Sequence, residues 1–239
     1  HNMEAGNLSL DYAFGAEVPP DPQPVTGRTF LGFRRPDGRA ATRNYIGLIS
    51  TVNCSATATK YVAERIDKSI LDDYPHIDGI VPLVHKAGCA MQYDGKDHHQ
   101  LNRVLAGFAR HPNIAAYLVL GLGCETGQAS FLVNNHGLVQ LEGSDTDGRP
   151  LPLIMNIQDE GGVAKTVDRA VGVLKELLAE VDRSERVPIP VSEIILGTEC
   201  GGSDGNSGVT ANPALGIASD RLVAHGGTTI LAETPEIYG

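Results

Sequence analysis

Apolar residues in this chain follow two rhythms. Six short runs are apolar almost without interruption, at 45–52, 79–84, 115–120, 152–157, 194–198 and 228–232. Runs of that length, rich in Ile, Val and Leu, read as strands buried on both faces. Between them the apolar positions take helical spacing. Ala58, Val62, Ile66 and Ile70 step by four behind Ser55, a suitable N-cap. Leu101, Val104, Leu105 and Phe108 mark the inward face of a helix over 97–110, and a shorter helix covers 128–135. Val163, Val167, Val171, Leu174 and Leu178 form the clearest amphipathic stripe, and 213–225 is a further helix. Strands alternating with helices predict an α/β fold: a mostly parallel sheet of about six strands with helices on both faces. Right-handed crossovers then put every strand's carboxyl end on one edge, where open α/β sheets bind ligands.

Outside these runs the pattern weakens. Residues 1–29 lack periodicity, and Pro19, Pro20, Pro22 and Pro24 predict an extended linker. The stretch to Asn44 is basic, with Arg28, Arg34, Arg35, Arg39 and Arg43. It reads as a solvated face or as an anion-facing loop. Residues 142–150 read as a polar surface excursion. The chain opens on His1-Asn2-Met3 and stops at Gly239 soon after a strand-like run, so a segment of a longer protein is expected. On this view 1–29 is a linker following a missing N-terminal domain. Residues 30–239 are an α/β catalytic core, truncated at its C-terminal end.

Composition narrows the function. At 41% hydrophobic, 239 residues can bury a sizeable core. A net charge of −10 argues against nucleic acid as partner and requires locally placed cations for any anionic substrate. Trp is absent and aromatics are 5%, which suits a small, linear, polar ligand better than a stacked one. No apolar run approaches the roughly 18 residues of a membrane span, so no membrane partner is expected. No signal peptide is visible. Four widely spaced cysteines lack a disulfide framework, which predicts a reduced, cytoplasmic setting.

The chemistry gathers at the strand ends. Cys54, Cys89, Cys124 and Cys200 follow the first, second, third and fifth runs. Free cysteines are often simply buried packing, but four at one predicted edge suggest a thiol-rich site. Soft thiolates suit iron, zinc or an iron–sulfur cluster. No pair has C-x-x-C spacing, so a zinc ribbon is a poor match. His85, Glu125, Asp159, Glu199, Asp204, Glu233 and Glu236 share that edge; each alone is more commonly a cap or a solvated residue. His85 and its neighbour Lys86 are the candidates for metal ligand or general base. Glu125, Asp204 and Glu233 complete the catalytic candidates. The stretch 198–208, with four glycines in eleven residues, precedes a helix start and has the build of a ligand loop. The dinucleotide glycine pattern fails, because Thr126 holds its last position.

Several segments carry a resemblance. GRAATRN at 38–44, VNCS at 52–55, GLGCE at 121–125, CGGSDGNS at 200–207, ANPALG at 211–216, GGT at 226–228 and ETPEIYG at 233–239 resemble the galactarate dehydratase / altronate dehydratase family. The matches run in order from about Phe30 to the last residue. The resemblance implies a hydro-lyase that removes water from a sugar acid such as galactarate or altronate, giving a 2-keto-3-deoxy sugar acid. It implies dependence on Fe²⁺, mononuclear or, less in keeping, as a cluster, without deciding between thiolates and His or carboxylates as ligands. It also implies a small N-terminal β domain of SAF type before His1-Asn2 and further chain beyond Gly239. In such chemistry Arg43 and Lys86 would anchor the substrate carboxylate, while Asn53, Asn212, Ser203 and Ser207 would hold hydroxyls. A sulfolactate sulfo-lyase large subunit and a non-catalytic anion-binding module are the competing readings. The expected partner is a small anionic sugar acid. The sequence sets no oligomeric state, a homo-oligomer included.

Overall fold

The computed structural model describes residues 22–139, 153–199, 201–202 and 205–232. They divide into two compact units: Leu31–Val187, and the residues up to Phe30 together with those from Pro188 on.

In the first unit, β1 (Thr29–Arg34) pairs antiparallel with β2 (Ala40–Ala41), Phe33 lying opposite Ala41. Four parallel strands follow: β3 (Tyr45–Ser50), β4 (Gly79–Leu83), β5 (Ile114–Gly121) and β6 (Ile154–Asn156), in the order β4-β3-β5-β6. Between them run α1 (Asn53–Glu64), α2 (Lys68–Leu71), α3 (Lys96–Ala109) and α4 (Ala129–His136), and α5 (Val163–Val181) follows β6.

The layers follow from side-chain alternation. All eight residues of β5 are buried, as a central parallel strand requires. Its Ala116, Leu118 and Leu120 face one side, with Ala58 and Val62 of α1 and Leu174 and Leu178 of α5. Its Tyr117 and Val119 face the other, with Leu105 and Ala109 of α3 and Leu132 and Val133 of α4. The chain first crosses one way, through α1, and then the other, through α3 and α4. The direction therefore reverses between β3 and β5, and a crevice opens at their carboxyl ends.

The expected parallel sheet with helices on both faces is present, but six parallel strands are not one sheet. Four form the sheet above. The other two, β8 (Ile195–Thr198) and β9 (Thr228–Leu231), form a separate parallel pair in the second unit. That unit also holds β7 (Val187–Pro190) and α6 (Ala211–Ala224). Its GGT stretch has a local cause. Gly226, at φ +82°, ends α6, with its N–H on the Val223 carbonyl and that of Gly227 on the Leu222 carbonyl, a Schellman cap. A Cβ on Gly227 would lie 2.5 Å from the Leu222 side chain.

Three helical details differ from the pattern-based expectation. The helix from Asn53 stops at Glu64 because Asp67 caps a new turn, accepting the Ile70 N–H at 3.2 Å. On α3 the inward face is His98, Asn102, Leu105, Ala106 and Ala109, whereas Val104 and Phe108 are exposed. Small residues let α3 lie close to the sheet, turning Phe108 outward. On α5 Val163 is exposed and Thr166 and Ala170 are buried beside Val167 and Leu174. The expected loop at 142–150 lies outside the described residues.

The basic stretch before β3 has a structural function at the amino edge of the sheet. Arg35 is buried and donates to the Pro112 carbonyl at 2.7 Å, Asn44 Oδ1 at 2.9 Å and the Arg43 carbonyl at 3.0 Å. Asn44 is buried too; its N–H donates to Asp78 Oδ2 at 2.6 Å and its amide to the His76 carbonyl at 2.9 Å. These bonds tie together the loops that enter β3, β4 and β5.

Candidate functional site

At the carboxyl edge four loops meet. The first runs from Ser50 into α1, the second leaves β4, the third leaves β5 and the fourth leaves β6. The Asn53 N–H donates to the Ala87 carbonyl at 2.9 Å, joining the first two. Gly88, at φ +98°, makes that approach feasible: a Cβ there would lie 2.6 Å from the Thr51 carbonyl oxygen and 2.9 Å from Val52 Cα. The Ile157 N–H donates to the Gly121 carbonyl and the Gln158 N–H to that of Leu122, both at 3.0 Å, joining the last two.

Glu125 lies between the first and third loops. It is buried and accepts from Thr51 Oγ1 at 2.8 Å, from the Leu122 N–H at 3.2 Å and from the Gly123 N–H at 2.6 Å. A Cβ on Gly121 would fall 2.6 Å from Glu125 Oε1 and 2.5 Å from Asn156 Oδ1, so GLGCE needs its first glycine for this carboxylate.

His85 joins the first and second loops. Its Nδ1 accepts the Ala87 N–H at 3.1 Å, so the neutral ring carries its proton on Nε2 and donates it to the Ser50 carbonyl, 2.9 Å away. Desolvation of the half-buried ring lowers its pKa below the usual histidine range, and the bond to Ser50 opposes the shift. Both ring nitrogens are engaged, so metal ligation or proton transfer by His85 requires giving up one bond. Lys86, next in the chain, is exposed at this edge.

Cys54, Cys89 and Cys124 are exposed here. The Cys54 thiol is raised above its ordinary value by local desolvation, then by the charge of Cys89 and a hydrogen bond with it, and further by Cys124 and Glu125. Cys89 and Cys124 therefore both lie within electrostatic reach of Cys54. The Asn53 carboxamide oxygen accepts from Cys54 Sγ at 3.5 Å, and the Gln158 amide donates to Cys124 Sγ at 3.4 Å. Among the described residues no three His, Cys, Asp or Glu side chains are arranged to hold a metal ion. The thiols are soft donors, but as arranged the described residues alone do not enclose an iron ion.

The structure thus brings Asn53, Cys54, His85, Lys86, Cys89, Cys124 and Glu125 to one edge. It does not bring Arg43 there. Arg43 precedes β3, pairs with Asp78 at 3.4 Å, and lies about 20 Å away across a six-residue strand. Ser207 and Asn212 belong to the second unit, where the Asn212 N–H donates to the Ser207 carbonyl at 2.9 Å as α6 opens. Cys200, Ser203, Asp204, Glu233 and Glu236 lie outside the described residues. Thr51, Gln158 and His98 were missed by the sequence pattern. Thr51 falls inside the first predicted run, whose strand stops at Ser50, Gln158 directly follows the fourth, and His98 falls four and seven residues before the inward Asn102 and Leu105.

A three-layer α/β unit with thiols, a buried carboxylate and amides at the reversal point of its sheet has the build of the doubly wound α/β folds, whose ligands sit at that edge. The comparison with known families is specific. A family model for D-galactarate dehydratase/altronate hydrolase, second domain, matches residues 32–182, and one for the D-galactarate/altronate dehydratase C-terminal region matches 191–239. The chain belongs to the galactarate dehydratase/altronate dehydratase family. The interval between the two matches contains the division of the structure at Val187/Pro188.

Three relatives are similar along nearly all of the chain. Altronate dehydratase of Bacillus subtilis is 36% identical over 240 residues, covering 100% of this chain and 46% of the relative. Galactarate dehydratase (L-threo-forming) of Escherichia coli is 35% identical over 228 residues, 92% of this chain and 42% of the relative. The (2R)-sulfolactate sulfo-lyase subunit beta of Chromohalobacter salexigens is 32% identical over 215 residues, 90% of this chain and 49% of the relative. The chain spans about half the length of the curated relatives it matches. No described helix is long and apolar enough to cross a membrane.

Proposed function

We propose that this chain is the sheet-edge portion of a hydro-lyase acting on a sugar acid such as galactarate or altronate. The observation that carries the reading is the convergence of exposed Lys86, Asn53 and three thiols on the carboxyl edge of the parallel sheet, in a member of this family. In the reaction the α proton leaves to a base, the electron pair forms the Cα–Cβ double bond, and the β-hydroxyl departs with a proton as water. The resulting enol tautomerises to a 2-keto-3-deoxy acid. Lys86 is suited to hold the substrate carboxylate and Asn53 a hydroxyl. Glu125, with three donors on its oxygens, is suited to fix the loops. Fe²⁺ remains the proposed metal because the donors at the edge are soft; Cys54, Cys89 and Cys124 do not enclose an ion by themselves and would hold it only with further ligands, Cys200 being the fourth candidate.

The test is a substrate scan of a protein spanning the relatives' full length, prepared anaerobically and analysed for metal. Formation of a 2-keto acid from galactarate or altronate is expected, with iron co-purifying. The isolated 239-residue chain should be nearly inactive, since it spans about half the length of its relatives. Elimination from sulfolactate alone would favour the sulfo-lyase reading, which the similarity to a sulfo-lyase subunit supports. Anion binding without turnover would favour a binding module.

A further inference from the structure

The third loop leads into a helix whose first turn has no side-chain cap. Gln128 precedes α4 and makes no capping bond. Its carbonyl takes the N–H groups of Phe131 and Leu132, at 2.9 and 3.2 Å. The N–H groups of Ala129 and Ser130 meet no acceptor among the described residues, and helix dipole and free donors together attract an anion. A pocket of about 580 Å³ opens there, lined by Tyr93, Thr126, Gln128, Ser130, Phe131 and Asn134 among others.

A second observation is independent of the helix. His98 is fully buried under Tyr93 and Phe131, with ring centroids 5.5 and 4.6 Å away. Its Nδ1 accepts the Asp94 N–H at 3.3 Å, so Nε2 carries the proton, and that donor has no partner. A buried donor left unpaired is a costly arrangement that a ligand acceptor would relieve. Nε2 faces the turn that opens α4: a Cβ on Gly127 would sit 3.2 Å from it. Tyr93, which covers the ring, is 63% exposed and lies between Ala90 and Asp94, both at positive φ. The Glu125 carboxylate, also at this pocket, is bound on its sheet side by Thr51, Leu122 and Gly123.

We propose that the opening of α4 seats a carboxylate of a small hydroxy acid, received by the Ala129 and Ser130 N–H groups and completed by His98 Nε2–H once Tyr93 moves aside. Thr126, Gln128, Ser130 and Asn134 then face the hydroxyl-bearing carbons. The proposal rests on the sugar-acid reading above and adds to it where one end of the substrate sits.

The test is a titration of the ¹⁵N-labelled 239-residue chain with galactarate and, separately, with inorganic phosphate. Galactarate is expected to shift the Ala129 and Ser130 amides and the His98 imidazole nitrogens with one affinity. Ala129→Pro removes one donor at the first helical position, which tolerates proline, and should weaken binding about tenfold. Gly127→Ala sets a methyl beside Nε2 and should weaken it at least as much, which covers failure of the proline variant to fold. Phosphate binding as tightly with the same shifts would overturn the hydroxy-acid assignment. Galactarate shifts confined to other residues, or turnover by the full-length protein with both variants binding as the parent, would overturn the seat and leave the sugar-acid reading standing. No galactarate binding together with no turnover by the full-length protein would remove both.

Discussion

Glu125→Ala is the substitution that tests the carboxyl edge most directly. The side chain accepts three bonds in a buried position: Thr51 Oγ1 at 2.8 Å, the Leu122 N–H at 3.2 Å and the Gly123 N–H at 2.6 Å. Removing it leaves the Leu122 and Gly123 N–H groups without acceptors, while the Thr51 hydroxyl keeps the Leu120 carbonyl at 3.4 Å. Each lost bond costs about 1–3 kcal/mol, and because the two share one partner the total should fall below their sum, at about 3–4 kcal/mol. Glu125→Gln keeps the volume and one oxygen. The best amide orientation keeps Gly123 on oxygen and lets Thr51 Oγ1 accept from the new NH₂, leaving only the longer Leu122 bond unmade, for about 1–2 kcal/mol. The two-unit architecture makes a single unfolding transition a poor measure. Native-state hydrogen exchange at Leu118 and Leu120 of β5 reports the unit concerned, and exchange at Leu122 and Gly123 reports the loop. The order parent, Gln, Ala in stability is expected, with loop amides exchanging faster in both variants. An alanine variant within 0.5 kcal/mol of the parent would refute the keystone role. A glutamine variant of parental stability whose full-length form had lost turnover would instead make Glu125 chemical.

Other outcomes follow from the same geometry. Gly88→Ala places a Cβ 2.6 Å from the Thr51 carbonyl oxygen at φ +98° and should destabilise the unit by roughly 3 kcal/mol or more, measured by the same exchange. His85 has a folded pKa below its unfolded one, so protonation favours unfolding; its contribution is fully present above about pH 6.5 and is lost as pH falls toward the folded value. The stability difference between the parent and His85→Gln should therefore be flat above pH 7 and shrink below it; a pH-independent difference would exclude this linkage. Alkylation of Cys54 should have a midpoint above the ordinary thiol range, and Cys89→Ala should lower it; an unshifted midpoint in the parent would contradict the thiol contact. Leu174→Ala, fully buried under the sheet, should cost about 2–5 kcal/mol by native-state hydrogen exchange at Leu118 and Leu120, and a loss under 1 kcal/mol would argue against that packing.

What was legible in the sequence is what period and position encode. The β5 run is apolar because both its faces are covered, so it announces a central strand. The cysteines follow strands, and a parallel sheet turns that into a shared edge for three of them. The count of about six strands in one sheet was met only roughly because the pattern of a strand does not name its partner: among the described residues β8 and β9, which read like the others, pair with each other. β1 was passed over because Arg34 and the flanking Arg28 and Arg35 outweighed Leu31 and Phe33, although Phe33 is buried. His98 was hidden in the polar opening of α3, where only its inward spacing with Asn102, Leu105 and Ala109 gave a signal.

The two ends of the parallel sheet use polar residues in opposite ways, and the difference follows from strand direction. At the amino edge the polar groups answer one another: buried Arg35 and Asn44 reach four backbone carbonyls and an aspartate between them, so the loops entering β3, β4 and β5 are closed to ligands. GRAATRN is therefore a signature of folding, despite its charge. At the carboxyl edge the buried groups, Glu125, Thr51 and Ser55, are satisfied in the same manner. Above them, however, Lys86, Asn53 and three thiols are exposed. A saturated lower layer holds backbone loops in place while the upper layer keeps donors and acceptors for something other than the protein. That asymmetry, more than any single residue, supports placing the chemistry at this edge, and it explains why Arg43, an anion-binding candidate by its charge, belongs to the other end.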